Sequence, residues 1–150
     1  MKYILVLILA LPIVASATEV SIFAGANHLS PDGAANSADY LTRQAGLNVA
    51  LSPGFHIGGS YGDEASRDEG LQKIDTITQG YMRFGQTTGT GVFIYAGATY
   101  TDIDLEGSTR DDVGWSIGVS ATAGRLYFAG EYVRPLDGID GITINTGLSF

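Results

Sequence analysis

The sequence from Val113 to Thr122 reads VGWSIGVSAT, and apolar residues alternate with small polar residues along it. Successive side chains of a β-strand point to opposite faces, so this period of two predicts a strand with one apolar face. The same alternation recurs from Leu41 to Leu51 and from Ile142 to Phe150. Extended along the chain, the pattern predicts an all-β protein of eight antiparallel strands. The predicted strands cover residues 19–27, 40–51, 55–62, 74–86, 92–101, 113–122, 126–134 and 142–150.

The first residues have the composition of an export signal. Lys2 precedes an apolar run from Tyr3 to Val14, and the run is followed by Ala15, Ser16 and Ala17. Small residues in this arrangement are what signal peptidase requires. The apolar run is shorter than the roughly 18 residues that cross a bilayer as a helix. The sequence therefore predicts a signal peptide over residues 1–17 and a single domain over residues 18–150.

Composition excludes several kinds of site. The 150 residues include 8 basic and 16 acidic side chains and no Cys, for a formal net charge of -8. Nucleic acid is not an expected partner, because its phosphates need a basic face. Asp102, Asp104, Glu106 and Gly107 match the first half of a calcium loop, but Val113 stands where the loop needs a bidentate Glu. We expect no metal site and no cofactor.

The connections between the predicted strands alternate in length. Residues 52–54, 87–91 and 123–125 form short connections, whereas 28–39, 63–73, 102–112 and 135–141 form longer ones. An up-and-down sheet places the short set at one end and the long set at the other. The long set contains most of the acidic residues: Asp32, Asp39, Asp63, Glu64, Asp68, Glu69, Asp102, Asp104, Glu106, Asp111, Asp112, Asp137 and Asp140. The pattern predicts a barrel with acidic loops at one end.

Side-chain size indicates which face lines the barrel. The polar face is built mainly of Gly, Ser, Thr, Asn and Gln rather than the Lys and Glu that soluble sheets expose. Small polar groups suit a narrow lumen filled with hydrogen bonds. The predicted lumen residues are Asp75, Gln79, Tyr81, Arg83 and Glu131, with Arg83 and Glu131 forming an ion pair. The first and fifth strands are apolar on both faces, so their facing is left open.

Aromatic residues of the apolar face fall near both ends of the strands. Near the short connections lie Phe55, Phe84 and Phe150, and near the long connections lie Tyr61, Trp115 and Tyr132. Two aromatic girdles on either side of an apolar band are typical of a barrel in a bilayer. Ordinary packing of aromatic rings at strand ends is the alternative.

Two arginines share the parity of the apolar face near the long connections. Near the membrane interface a charge costs only about 0 to 1 kcal/mol, so Arg43 and Arg134 are tolerable there. A guanidinium at this depth is suited to anionic lipid headgroups. Extension into water, or a bulge that turns one side chain inward, is the alternative.

Taken together, these features resemble the small bacterial outer-membrane β-barrels of the OmpA and OmpX type. The motifs that carry the resemblance are GEY at Gly130–Tyr132 and ITINTGLSF at Ile142–Phe150. The resemblance implies an eight-stranded up-and-down transmembrane barrel in the outer membrane of a Gram-negative cell, in contact with lipid and lipopolysaccharide. It also implies that the barrel-assembly machinery reads Leu148 and Phe150, and that periplasmic chaperones accompany the chain during biogenesis.

The expected function is a structural or surface-binding role through the acidic extracellular loops, without an open pore and without catalysis. His28, Ser30 and Asp32 have the residue types of a hydrolase triad, but a loop offers them no rigid support. His56 is expected to be hydrogen-bonded in the lumen near the short connections. A soluble lipocalin-like carrier with reversed faces, and an enzyme that modifies lipid A, are the alternatives.

Overall fold

The strands of the protein form one closed barrel in the computed structural model, which describes residues 19–31 and 38–150. Every strand pairs antiparallel with its neighbours in sequence, and the last strand pairs with the first. The strands are β1 (Glu19–Pro31), β2 (Tyr40–Ser52), β3 (Phe55–Arg67), β4 (Ile74–Thr87), β5 (Val92–Leu105), β6 (Ser108–Ala123), β7 (Leu126–Leu136) and β8 (Ile139–Ser149). The predicted all-β, eight-stranded architecture is confirmed.

The described residues form no helix, so they contain no helix long and apolar enough to cross a membrane. The predicted signal peptide, residues 1–17, lies outside the described residues, and so does Asp32.

Large apolar side chains cover the outside of the barrel. Ile22, Ile94, Ile117 and Ile144 expose between 52% and 67% of their surface. Their neighbours along each strand, such as Ser116 beside Ile117, are buried in the lumen. The alternation therefore runs apolar outside and polar inside, and a lipocalin-like carrier would need the reverse.

The facing of β1 and β5 follows from the same burial pattern. Phe23 and Asn27 of β1 point inward, as do Phe93 and Tyr95 of β5, while Ile22 and Ile94 point outward. The sequences of these two strands are apolar on both faces because aromatic side chains of the inner face pack in the lumen. Phe23 and Tyr127 pack with a centroid separation of 6.1 Å, and Phe93 and Tyr95 stack at 5.3 Å.

The predicted alternation of connection lengths is wrong. The connection predicted at 102–112 is a two-residue turn, Glu106 and Gly107, between strands that continue past the predicted limits. The connection predicted at 135–141 shrinks in the same way to Asp137 and Gly138. Gly107 and Gly138 have φ values of 88° and 79°, the left-handed conformation that two-residue hairpins need.

The strands therefore project beyond the band of exposed apolar residues at this end, which we call the projecting end. The opposite end, with connections 53–54, 88–91 and 124–125, is the short-turn end. Most of the predicted loop carboxylates lie on strands as a result. Asp102 faces Asp111 across the β5–β6 ladder, and Asp104 faces Thr109.

Candidate functional site

A buried ion pair lies in the lumen. Nη2 of Arg83, on β4, donates to Oε1 of Glu131, on β7, at 2.7 Å, and the two side chains are 3% and 8% exposed. The Tyr95 hydroxyl donates to Oε2 of Glu131 at 3.2 Å. The Arg83 guanidinium lies 3.8 Å from the ring centroid of Tyr81 and 4.7 Å from that of Tyr95. The pair expected from the sequence is thus present, surrounded by π-faces that help to compensate the buried cation.

A polar network crosses the lumen between this pair and the projecting end. The Asn27 amide donates to Thr42 and Gln44 at 3.0 and 3.2 Å, and Gln44 donates to Asn145 at 2.8 Å. Ser60 donates to Gln44 and to Gln79. These bonds join β1, β2, β3, β4 and β8, so the small polar side chains of the inner face fill the lumen by binding one another.

Asp75 is not a lumen residue, and this prediction is wrong. Ile74 pairs with Leu105 and Thr76 pairs with Asp104, so Asp75 is the extra residue of a β-bulge. The bulge breaks the alternation and leaves the Asp75 carboxylate exposed, 2.7 Å from Nζ of Lys73. This hydrogen bond raises the pKa of Lys73 above its ordinary value. Gln79, Tyr81, Arg83 and Glu131 do face the lumen.

An apolar cluster closes the lumen at the projecting end, and sequence reasoning missed it. Its buried members are Leu29, Tyr40, Ile74, Ile77, Ile103, Val133, Leu136 and Ile139. Several of these residues lie where the sequence predicted loops. Ile103 has the inward parity of Thr99 and Thr101, so continuing the strand pattern past residue 101 was the signal that could have placed it inside.

The predicted girdle residues all lie on the outer face or its rim. At the short-turn end Phe55 and Phe84 stack at 4.7 Å, and Phe150 is 69% exposed. Trp115 and Tyr132 pack at 5.6 Å, and Tyr61 is also exposed. Two further outward aromatics, Tyr100 and Phe128, belong to the same face but were not predicted.

Arg43 and Arg134 both lie on strands near the projecting end, and both contact carboxylates. Arg43 binds Asp63 through two hydrogen bonds of 2.6 and 2.9 Å. Arg134 lies opposite Trp115 in the ladder, with Nη2 at 3.3 Å from Asp137 and Nε at 3.7 Å from Asp140. Both guanidinium groups thus contact carboxylates of the protein itself.

The His28 cluster has a geometry unlike that of a hydrolase triad. Nε2 of His28 lies 3.3 Å from one carboxylate oxygen of Asp39, and the Ser30 hydroxyl donates to the other at 2.6 Å. Asp39 is therefore the acid that contacts both residues within the described ranges. A triad needs the imidazole between the hydroxyl and the carboxylate, whereas here Asp39 stands between Ser30 and His28.

A polar cavity of about 300 Å³ opens at the short-turn end of the lumen. His56 lines it, stacked on Phe93 at 4.0 Å and hydrogen-bonded to Asn48 at 3.2 Å. The Glu19 carboxylate accepts hydrogen bonds there from Thr122 and Ser149. His56 thus lies where the sequence predicted it, in the lumen near the short-turn end.

The final residues close the barrel against β1. The backbone of Phe150 exchanges two hydrogen bonds with Val20, of 2.8 and 3.1 Å. The side chains of Leu148 and Phe150 point outward, with 49% and 69% of their surface exposed. This is the amphipathic terminal strand that the sequence predicted.

The β5–β6 hairpin of the projecting end is acidic. Its exposed carboxylates are Asp104, Glu106, Asp111 and Asp112, and the described residues supply no ion-pair partner for any of them. Asp104 instead accepts hydrogen bonds from Thr76 and Thr109. Across residues 19–31 and 38–150, no three His, Cys, Asp or Glu side chains are grouped so as to hold a metal ion.

No family model and no curated protein matches this sequence. Solved structures do match its fold. A de novo designed transmembrane β-barrel aligns over 87% of this chain and 95% of its own, with a TM-score of 0.60 and 11% identity. The N-terminal β-barrel domain of Pseudomonas aeruginosa OprF aligns over 89% and 98%, with a TM-score of 0.53 and 16% identity.

Ail, the attachment invasion locus protein of Yersinia pestis, was solved with the heparin analogue sucrose octasulfate. It aligns over 88% of this chain and 98% of its own, with a TM-score of 0.52 and 15% identity. The resemblance in the sequence is thereby confirmed at the level of the fold. The chain is an eight-stranded antiparallel barrel with the architecture of the small transmembrane β-barrels of the bacterial outer membrane.

Proposed function

We propose that the protein is an integral barrel of a Gram-negative outer membrane, with a structural or surface-binding role and without catalysis. One observation carries this proposal: a belt of exposed Ile, Leu, Val and aromatic side chains surrounds a barrel whose lumen holds a buried polar network. Soluble monomers rarely expose a contiguous apolar surface of this kind. In a bilayer the belt faces lipid, and closure of the barrel pairs every strand edge.

The height of the belt supports a bilayer location. Along β8 the outward residues run from Ile142 and Ile144 through Leu148 to Phe150. At about 3.3 Å per residue this stretch is about 26 Å long. A strand tilt of about 40° reduces it to about 20 Å, close to the apolar band of roughly 25 Å that membrane barrels present.

The filling of the lumen supports a role other than that of an open porin. Eight strands enclose a space that side chains can fill. Here the apolar cluster, the polar network and the Arg83–Glu131 pair follow one another along the barrel axis. A water-filled channel would have to break each of these layers.

The β5–β6 hairpin is the surface we propose for recognition. Its unpaired carboxylates favour partners with basic surfaces, since complementary charge steers association and opposes partners of like charge. Ail was solved with a polyanionic sugar analogue, whose charge is opposite to that of the basic partners expected for this hairpin. We therefore propose that this hairpin does not bind sulfated polysaccharides.

Contact with anionic lipid headgroups is proposed at Arg43 and Arg134. Their position near the exposed Tyr61 and Trp115 supports it, whereas their ion pairs with Asp63 and Asp137 compete with it. Trp115 is the only Trp and lies opposite Arg134, so its fluorescence reports on this region. Lipopolysaccharide added to protein in zwitterionic vesicles should change the emission, and Arg134→Gln should reduce the change. An equal response in both proteins would contradict headgroup binding at Arg134.

Membrane fractionation tests the proposal as a whole. The protein expressed from its full sequence should sediment with the outer membrane and resist extraction by alkaline carbonate. Charge on the outer face should abolish this behaviour, so Ile117→Arg should reduce the membrane-bound fraction. Thr109→Arg, in the projecting part of β6, is the matched control and should leave it unchanged. Recovery of the wild-type protein in the soluble periplasmic fraction would contradict an integral barrel.

A further inference from the structure

An apolar cavity of about 160 Å³ lies in the mouth of the barrel at the projecting end. Tyr40, Ile74, Ile103, Leu136 and Ile139 form its inner wall, and all five are buried members of the apolar cluster. The cavity therefore lies closer to the projecting end than the polar network does, and the Arg83–Glu131 pair does not line it.

The connection between β3 and β4, residues 68–73, covers this cavity. Leu71 packs against the apolar cluster, and Gln72 donates to the backbone carbonyl of Glu106 and, at 3.4 Å, to Ser108. The Tyr40 hydroxyl donates to the carbonyl of Gln72 at 2.9 Å. The connection is thus held across the mouth by bonds to β2 and to the β5–β6 hairpin.

Arg110 is the one charged side chain among the described residues that line the cavity. It pairs in the ladder with the buried Ile103, which places it on the inner face of β6. The described part of the chain offers its guanidinium no hydrogen-bond or ion-pair partner. The nearby Asp112 carboxylate accepts from the backbone N–H groups of Val113 and Asp137 instead.

We propose that this cavity binds a small organic carboxylate, with its apolar group inside and its anionic group on Arg110. The volume is close to that of the cavity of about 150 Å³, lined by Leu, Ile and Phe, that binds benzene in another protein. A benzene-sized group therefore fits the space. An unpaired guanidinium at the rim supplies a fork of donors that suits a carboxylate. This site lies beyond the proposed surface role of the acidic hairpin.

Benzoate is the probe, with benzyl alcohol and benzylamine as matched neutral and cationic analogues of the same ring. The barrel is refolded into lipid nanodiscs, and binding is followed by the backbone amide NMR shifts of Leu71, Gln72 and Ile139. Benzoate should produce saturable shifts at these positions and bind more tightly than benzyl alcohol, while benzylamine should bind most weakly. Empty nanodiscs give the contribution of partition into lipid.

Two variants separate the charge from the cavity. Arg110→Gln should weaken benzoate by about two- to fivefold, the scale of a solvent-exposed ion pair, and leave benzyl alcohol unchanged. Leu71→Trp adds a larger ring to the connection that covers the cavity, so it should abolish the binding of both benzoate and benzyl alcohol. Arg125→Gln, at the short-turn end, is the control cation and should leave both unchanged.

The proposal is overturned if benzoate gives no saturable shifts at the cavity, or if Arg110→Gln binds it as tightly as wild type does. Equal affinities of wild type for benzoate and benzylamine would also overturn it. The amide spectrum of each variant shows separately whether the barrel has folded, and membrane fractionation tests the location independently of this site.

Discussion

The Arg83–Glu131 pair should show strong energetic coupling. Replacing Glu131 by Leu leaves a buried cation without its carboxylate, which should cost about 3 to 5 kcal/mol. Arg83→Met with Glu131→Leu should cost much less than the sum of the two single changes. Reversible unfolding of the vesicle-inserted barrel in urea measures all four proteins. The exposed pair of Arg43 and Asp63 is the control and should show only weak coupling. Additive effects at the buried pair would contradict its electrostatic role.

Ile117 and Gly118 are neighbours in sequence that should respond to substitution for different reasons. Ile117 faces outward, so Ile117→Arg should cost about 2 to 4 kcal/mol at the bilayer midplane, and Ile117→Ala should cost less. A Cβ at Gly118 would lie 2.6 Å from Cβ of Glu131 and 2.7 Å from the carbonyl oxygen of Gly130, so Gly118→Ala should destabilise by crowding. Unfolding from vesicles measures each change. Equal stabilities of Ile117→Arg and Ile117→Ala would show that this face does not contact lipid.

At the scale of the element, the turn of the β5–β6 hairpin depends on Gly107. Its φ of 88° is strained for any residue with a Cβ and most of all for a β-branched one. Gly107→Val should therefore destabilise the hairpin by about 1 to 2 kcal/mol, and Gly107→Asn by less. Hydrogen exchange of the Leu105 and Ser108 amides, the pair that flanks the turn, should accelerate in the Val variant alone. Unchanged exchange in both variants would contradict the two-residue turn.

The last strand offers a test that separates stability from assembly. Phe150→Ala keeps the backbone bonds to Val20 and loses only the ring, whose burial is worth at most about 1.5 to 3 kcal/mol and less at a barrel rim. The variant should therefore refold in detergent. If the assembly machinery also reads the ring, the amount assembled in cells should fall far more than the stability measured in vitro. Normal cellular levels of Phe150→Ala would count against recognition of the ring.

The faces of the central strands could be predicted from the sequence, whereas their ends could not. Ile117 and Val119 lie in an unbroken alternation, because the outer face and the lumen of the barrel differ in polarity at every step. Beyond the belt of exposed apolar residues, the outer face carries carboxylates and the inner face joins the apolar cluster. Ile103 and Asp104 therefore reverse the polarity of the belt, and the alternation predicts a loop there. The bulge at Asp75 was missed because a single extra residue reverses the parity without changing the local composition.

The parts of the site were predictable to different degrees for similar reasons. Arg83 and Glu131 are long charged residues at inward positions, so each needs a partner and the other is the natural choice. The cavity beneath Leu71 depends on how residues 68–73 fold across the mouth, and that path is fixed by bonds between distant strands. No local pattern in the sequence records such bonds.

For the whole molecule, closure of the barrel predicts resistance to detergent. Because all eight strands are paired on both sides, denaturation in sodium dodecyl sulfate should require heating. Unboiled protein should therefore migrate differently from boiled protein in a gel. Mobility that does not change on heating would contradict the closed barrel.

The filled lumen predicts the conductance of the protein. In planar bilayers, the purified barrel should give no steady large conductance. Robust porin-like currents would contradict the filled lumen.

Pairing of β8 with β1 also sets the order of events during folding. Ser21 and Ser149 contact each other although they lie 128 positions apart in the chain, so the β1–β8 pairing joins the most distant strands in sequence. Contacts of such sequence separation are slow to form, because most of the chain must be organised before they can be made. Until then β1 presents an open edge that is able to pair with another chain. A chain interrupted before β8 is consequently an unprotected, aggregation-prone sheet, and the kinetic hazard ends only when the last strand arrives.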